Sequence, residues 1–183
     1  MNQYTVLFVD DEPYILKSLS RLFRGDPVTI LTSFSAEEAL AVLRAQPVQV
    51  LVTDNIMPGM SGVELTKKVK ELYPDTMRII LSGQSDIDAV IKAVNEGEAY
   101  RFLLKPWIDM DLKATVNIAL AHHKLLVDNR RLMAELTEKS ELLTSIQKRH
   151  PELLDEHLMP QRTEMRDELE GSMPMSGPKR VGR

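Results

Sequence analysis

Five short apolar runs rich in branched residues punctuate the first 104 residues: Thr5 to Val9, Val28 to Leu31, Val48 to Thr53, Met77 to Leu81 and Arg101 to Leu104. Each is too short for a stable helix, so they predict five strands. Between them apolar residues recur three and four apart, as in Ile15, Leu16, Leu19, Leu22 and Phe23, or Ile87, Val90, Ile91 and Val94. That spacing predicts amphipathic helices. Ser35, Ser61 and Ser85 each stand three residues before a carboxylate, at Glu38, Glu64 and Asp88, which predicts capped helix starts. Pro13 suits a first helical turn, and Gly25 and Gly97 fall where the first and fourth helices should stop.

Strict alternation of strand and helix, with strands apolar on both faces, implies a parallel sheet covered on each side by right-handed crossovers. The expected fold is α/β and doubly wound, with five parallel strands in the flavodoxin-like order 2-1-3-4-5. After Trp107 the pattern becomes one helical stretch from about Asp109 to about Lys148, free of proline and glycine and too long for a single covering helix. Within it Ile118, His122, Leu125, Asn129, Leu132, Leu136, Lys139, Leu143 and Ile146 alternate spacings of four and three, a heptad seam. With Leu125, Leu132 and Ile146 at d, Asn129 falls at a, where asparagine favours a parallel two-stranded pairing. A coiled-coil homodimer is therefore expected, against an ordinary helix folded onto its own domain. The predicted organisation is a domain over 1–122, a helical extension over 123–150, and a disordered tail over 151–183, where Gly, Pro, Ser and basic residues dominate the end.

Composition narrows the function. The 23 basic and 27 acidic residues are mixed along the chain, with a net charge of −4, so no basic stripe for a phosphate backbone is present and direct nucleic-acid binding is not expected. With no cysteine there are no disulfides, thiolate metal sites or thiol nucleophiles. Asp10-Asp11-Glu12 ends the first apolar run at once, so no signal peptide is expected, and no run approaches the eighteen or so apolar residues that span a bilayer. The cytoplasm is the expected location.

In an open α/β sheet, ligands bind beyond the carboxyl ends of the strands at the point where connections diverge. Here that crevice receives Asp10-Asp11, Asp54, Ser82-Gly83 and Lys105-Pro106. Carboxylates about 4 Å apart repel by on the order of 4 kcal/mol per pair at an effective dielectric near 20, so a cation belongs among them. Hard oxygen donors favour Mg2+, or Mn2+, over zinc. Asp54 then reads as a phosphoryl-accepting nucleophile, Asp11 as a direct metal ligand, Asp10 as one acting through water, and the Ile56 backbone carbonyl as a further ligand. Lys105 and Ser82 supply a positive charge and a hydroxyl for the phosphoryl oxygens. Any one of these residues alone is an ordinary cap or turn residue. Their order on successive strand ends, with Pro58-Gly59 after Asp54, gives the pattern its specificity.

Val-Asp-Asp-Glu-Pro at 9–13, Asp54-Asn-Ile-Met-Pro-Gly-Met-Ser-Gly62, Ser82-Gly83 and Leu104-Lys105-Pro106 resemble the CheY-like receiver domain of two-component response regulators. The resemblance covers about residues 4–122. It implies that a histidine kinase or phosphotransfer protein phosphorylates Asp54, that Ser82 moves toward the phosphoryl group, and that Phe102 turns inward. It also implies a cis Lys105–Pro106 peptide and no activity beyond the domain's own phosphorylation and dephosphorylation. Glu98 to Trp107 is also similar to receivers joined to cyclic-dinucleotide phosphodiesterase or transcription-activating modules. Three alternatives compete with this reading: a dehalogenase-type phosphatase, disfavoured because Ile56 stands where a second acid is needed; a nucleotide-binding module, disfavoured because no glycine-rich loop follows the first strand; and a fragment of a larger regulator with an enzymatic or DNA-binding output domain. His122, His123, His150 and His157 read as surface or seam residues. The downstream partner is not named by the sequence.

Overall fold

The computed structural model describes residues 4–149. Five strands, β1 (Tyr4–Val9), β2 (Val28–Ser33), β3 (Val50–Asp54), β4 (Met77–Ser82) and β5 (Arg101–Leu104), form one parallel sheet in the order β2-β1-β3-β4-β5. They alternate with helices α1 (Pro13–Leu22), α2 (Ala36–Ala45), α3 (Gly62–Leu72), α4 (Ile87–Asn95) and α5 (Asp109–Arg149). The doubly wound α/β expectation and its strand order both hold.

Both faces of the sheet are covered, so successive residues of a strand serve different cores. From β1, Val6 and Phe8 join Leu16, Leu19 and Phe23 of the α1 side and Leu112, Val116 and Ala119 of α5. Leu7 and Val9 point the other way, against Ala36, Ala39 and Leu43 of the α2 side and Leu65 and Val69 of α3. A third cluster sets Ile80 against Val90, Ala93 and Ala99, with Phe102 packed at its margin. Continuous apolar strands are what this two-sided burial requires.

The helix ends show where local pattern reading succeeds and where it fails. Ser61 and Glu64 form a reciprocal capping box, and Ser35 accepts from the Glu38 amide. Pro13 opens α1, and Gly25 and Gly97 have φ of 92° and 69°. Ser85 does not cap α4: residues Gln84–Asp86 form a 3-10 turn, α4 begins at Ile87, and Asp86 stands at the N-cap without a side-chain cap bond. The hydroxyl of Ser85 lies 3.4 Å from its neighbour Asp86 instead.

The chain divides into two units, 1–130 and 131–183. In the first, α5 buries Leu112, Thr115, Val116, Ala119 and Leu120, and no described residue of α5 beyond Leu120 is buried. His123 is nonetheless held, its Nδ1 2.7 Å from the carbonyl of Asp75, and Arg130 pairs with the Asp75 carboxylate at 2.6 Å. His122 packs on Tyr100 with ring centroids 5.0 Å apart. These two histidines, each partly buried, are therefore tied to the domain through Tyr100 and the Asp75 carbonyl. In the second unit, the described residues continue as helix, with Arg131 and Glu135 paired at 3.8 Å. The seam residues Leu125, Asn129, Leu132, Leu136, Leu143 and Ile146 are all exposed within one chain. No described helix is long and apolar enough to cross a membrane. The predicted tail, 151–183, lies outside the described residues.

Candidate functional site

The parallel register brings the carboxyl ends of β1, β3, β4 and β5 to one edge. Asp10 follows β1 and is fully buried, with its Oδ1 accepting from the Glu12 amide at 2.9 Å. Asp54 ends β3 and is 7% exposed, while Asp11 is exposed. Ligand atoms of Asp10, Asp11 and Asp54 lie within 4.8 Å of one another.

Lys105 reaches into this cluster from the end of β5. Its Nζ lies 2.9 Å from Asp54 Oδ1 and 3.1 Å from Asp10 Oδ2. The Lys105–Pro106 peptide is cis. One ammonium against three carboxylates leaves a formal charge of −2, and the exposed Asp11 gives that charge an open side. Burial pushes the Asp54 carboxyl above the ordinary aspartate range; Lys105 opposes the push and Asp10 adds to it. For Lys105, burial disfavours the ammonium, but bonding and attraction to Asp54 and Asp10 outweigh it and raise its pKa. The asymmetry is physical: Lys105 faces two anions, whereas Asp54 faces one cation and one anion.

The loop after Asp54 is built around Asn55. Its amide donates to Asp54 Oδ1 at 2.9 Å, its carbonyl accepts from Gly62 at 3.0 Å, and its side-chain Oδ1 accepts from the Val63 amide at 3.2 Å. Between these ties runs the Pro58–Gly59 turn, where Gly59 has φ 81°. Gly62 sits against the strand end so closely that an added Cβ would meet the Asp54 carbonyl oxygen at 2.2 Å. The side chain of Ile56 is exposed, two residues beyond Asp54.

Ser82 is fully buried at the end of β4, and its hydroxyl lies 2.9 Å from Asp86 Oδ2 and 3.0 Å from the Gly83 carbonyl. The described bonds of the hydroxyl are thus not made to Asp54 or Lys105, although the Ser82 carbonyl accepts from the Lys105 amide at 2.8 Å. Phe102 is partly buried on β5. Sequence reading missed the parts played by Asn55, Gly62 and Asp86. Asn55 and Gly62 lie inside a quoted motif, but Asp86 carried no signal beyond its place four residues after Ser82.

The geometry can be set beside known proteins. The sequence profile described as "Response regulator receiver domain" matches residues 6–117. Over 141 residues, 77% of the chain, it is 41% identical to the hydrogenase transcriptional regulatory protein HoxA of Cupriavidus necator, of which it covers 29%. A 141-residue stretch ends no earlier than residue 141, so that likeness runs into α5 beyond Arg130. A response regulator receiver domain protein from Clostridium thermocellum shares the fold with a TM-score of 0.63 and 34% identity, over 67% of this chain and 98% of that one. A structure described as adenylate cyclase from Rhodopirellula baltica gives 0.69 and 33%, over 73% and 98%. The chain spans under a third of HoxA but nearly all of these two structures. With the profile covering the five strands from Val6 onward and every strand end that forms the acidic edge, the chain belongs to the response regulator receiver domain family.

Proposed function

We propose that this chain is the phosphoryl-accepting switch of a two-component regulator, taking a phosphoryl group on Asp54 from a histidine-phosphorylated kinase or phosphotransfer protein. The observation that carries this is Asp54 itself, a nearly buried carboxylate paired to Lys105 and flanked by Asp10 and Asp11. Its Oδ1 is engaged by Lys105 and the Asn55 amide, which leaves Oδ2 for attack. The Oδ2–phosphorus bond forms as the phosphorus–nitrogen bond of the donor breaks, and the imidazole leaves with a proton from solvent. Lys105 follows the charge onto the phosphoryl oxygens, as a preorganised cation does in phosphoryl transfer.

The donor set fits a hard divalent ion. Asp10, Asp11, Asp54 and the Ile56 carbonyl would hold Mg2+, or Mn2+ in its place. When bound, the ion supplies positive charge that screens the attacking carboxylate from the phosphoryl oxygens. The chain assists its own phosphorylation and dephosphorylation and turns over no other substrate. It works in the cytoplasm as the receiver, residues 1–122, followed by an output helix that starts at residue 123. Direct contact with nucleic acid or membrane is not part of this reading.

Magnesium and charge give a first test. Because the Asp54 pKa is raised in the folded chain, the native state holds its proton to higher pH than the unfolded state. Stability therefore falls as pH rises through the window above the ordinary carboxylate range, and ionised Asp54 is a burden at neutral pH. Asp54→Asn is expected to melt higher than wild type in metal-free buffer at neutral pH, with the gain shrinking in acid. Mg2+ is expected to raise the wild-type melting point and to act less on the variant; at a hundred times the dissociation constant the gain is about 2.7 kcal/mol. Differential scanning calorimetry with and without chelator checks both.

For the output, a second copy of the chain pairs along Leu125, Asn129, Leu132, Leu136, Leu143 and Ile146 as a parallel coiled coil. The support is a seam at heptad spacing whose residues are exposed within one chain, Leu136 62% and Leu143 61%. Leu136→Asp is expected to halve the sedimenting mass at micromolar concentration while leaving phosphoryl uptake intact. An unchanged wild-type monomer would count against this output and assign the seam to a different protein.

The function as a whole is tested by intact mass after incubation with Mg2+ and acetyl phosphate. Wild type gains one phosphoryl group and Asp54→Asn gains none. Equal labelling of both, or of neither after exposure to phosphohistidine donors as well, would overturn the reading.

A further inference from the structure

The hydroxyl that a phosphoryl group on Asp54 needs is already in use. Asp86, in the turn that leads into α4, accepts from Ser82 Oγ at 2.9 Å and from the side-chain amide of Asn55 through the same carboxylate oxygen, Oδ2. Its other oxygen faces Ser85 at 3.4 Å. Asn55 in turn bonds Asp54 through its amide and the first turn of α3 through its side-chain carbonyl. One carboxylate thus ties together the end of β4, the loop after β3 and the start of α4. Burial acts to raise the Asp86 pKa, but the bonds from Asn55 and Ser82 prevail and hold its carboxyl below the ordinary range, so it is a charged acceptor at neutral pH.

A serine hydroxyl has a single proton, so Ser82 cannot donate to Asp86 and to a phosphoryl oxygen at once. We propose that Asp86 is a positioning residue that holds the unphosphorylated conformation by occupying the Ser82 hydroxyl and the Asn55 side-chain amide, and that a phosphoryl group on Asp54 acts by taking that hydroxyl away. This rests on Asp54 being the phosphoryl acceptor. Loss of the Ser82 bond releases the 3-10 turn Gln84–Asp86 from β4 while Asn55 still holds it from β3, which makes the start of α4 the element that moves. The device is a competition between two anionic acceptors for one donor. Its two states differ by about one hydrogen bond to a charged group, a difference a ligand at Asp54 is able to reverse.

The test uses the whole chain with Mg2+ and beryllium trifluoride, a mimic of a carboxyl-bound phosphoryl group. Binding is followed by the fluorescence of Trp107, the chain's only tryptophan, two residues after Lys105. Removing the competing acceptor in Asp86→Ala is expected to tighten apparent binding about ten-fold, the size of one charge-assisted hydrogen bond. In a Ser82→Ala background the same change is expected to alter binding by less than about two-fold, because no hydroxyl remains to be released. Asp86→Asn, which keeps the side-chain shape, gives a smaller tightening in the same direction and serves if the alanine variant fails to fold. Tightening that persists without the Ser82 hydroxyl, or binding by Asp86→Ala that is unchanged or weaker, overturns the proposal while leaving Asp54 as acceptor. A wild-type chain that binds no beryllium trifluoride and takes up no phosphoryl group overturns both.

Discussion

Lys105→Met is expected to slow phosphoryl uptake from acetyl phosphate by about 10²–10³, the usual loss when one preorganised charge-stabilising donor is removed. Methionine keeps the length and apolar stem of the side chain and removes the charge, so the loss reports on electrostatics and not on packing. The same change strips the partner from Asp54 and from the fully buried Asp10, which Lys105 meets at 2.9 and 3.1 Å. Breaking buried pairs in this way costs about 3–5 kcal/mol, and the 24% exposure of the lysine side chain places the expected loss at the lower end. Mg2+ should restore part of that stability, since it answers the same excess of negative charge, but not the rate. Stopped-flow uptake and thermal melts in chelator and in Mg2+ separate the two effects. A rate within about three-fold of wild type would remove Lys105 from the chemistry and leave it a structural ion-pair residue.

The second large effect is expected at Gly62. A methyl group there would stand 2.2 Å from the Asp54 carbonyl oxygen and 2.9 Å from the Asn55 Cα, both backbone atoms. Neither is the yielding end of a flexible side chain, so the strand end and the α3 start must separate. Overpacking of this kind costs about 1–3 kcal/mol and more where backbone is struck, so Gly62→Ala should lose about 3 kcal/mol, or about 10 °C in melting temperature. The displaced atoms include the backbone of Asp54, and a shift of about 1 Å in a reacting group is worth about 10² in rate. Gly83→Ala is the control, because its added Cβ would come no nearer than 3.4 Å to Asp86 Oδ1. Similar melting curves for Gly62→Ala and wild type would contradict the close approach of α3 to the strand end.

What was legible in the sequence was whatever depends on local pattern or on the order of strand ends. The strands showed because both faces of the sheet are buried, so that Val6, Leu7, Phe8 and Val9 are all apolar although they point alternately to opposite cores. The capping box at Ser61 and Glu64 is a four-residue device and reads as one. The same spacing misled at Ser85, because a serine three residues before an acid also fits a 3-10 turn whose neighbouring aspartate is engaged by Ser82 and by the distant Asn55. That Asp54, Asp10 and Lys105 converge followed from topology. That Lys105 bridges both carboxylates, that Asn55 and Ser82 share one carboxylate oxygen of Asp86, and that Gly62 has no room for a side chain are tertiary contacts, and no periodicity records them. His122 and His123 belong to the same class: helical spacing placed them on a face, while Tyr100 and the Asp75 carbonyl decide what that face meets.

The claim at the centre is that Asp54, and no other carboxylate of the acidic edge, takes the phosphoryl group. Reduction of the phosphorylated chain with borohydride converts an aspartyl phosphate to homoserine, and peptide mass mapping then locates the altered residue. The account predicts the change at Asp54 alone, dependent on Mg2+. Finding it at Asp10 or Asp11, or finding a borohydride-resistant phosphate on a hydroxyl such as that of Ser82, would contradict it.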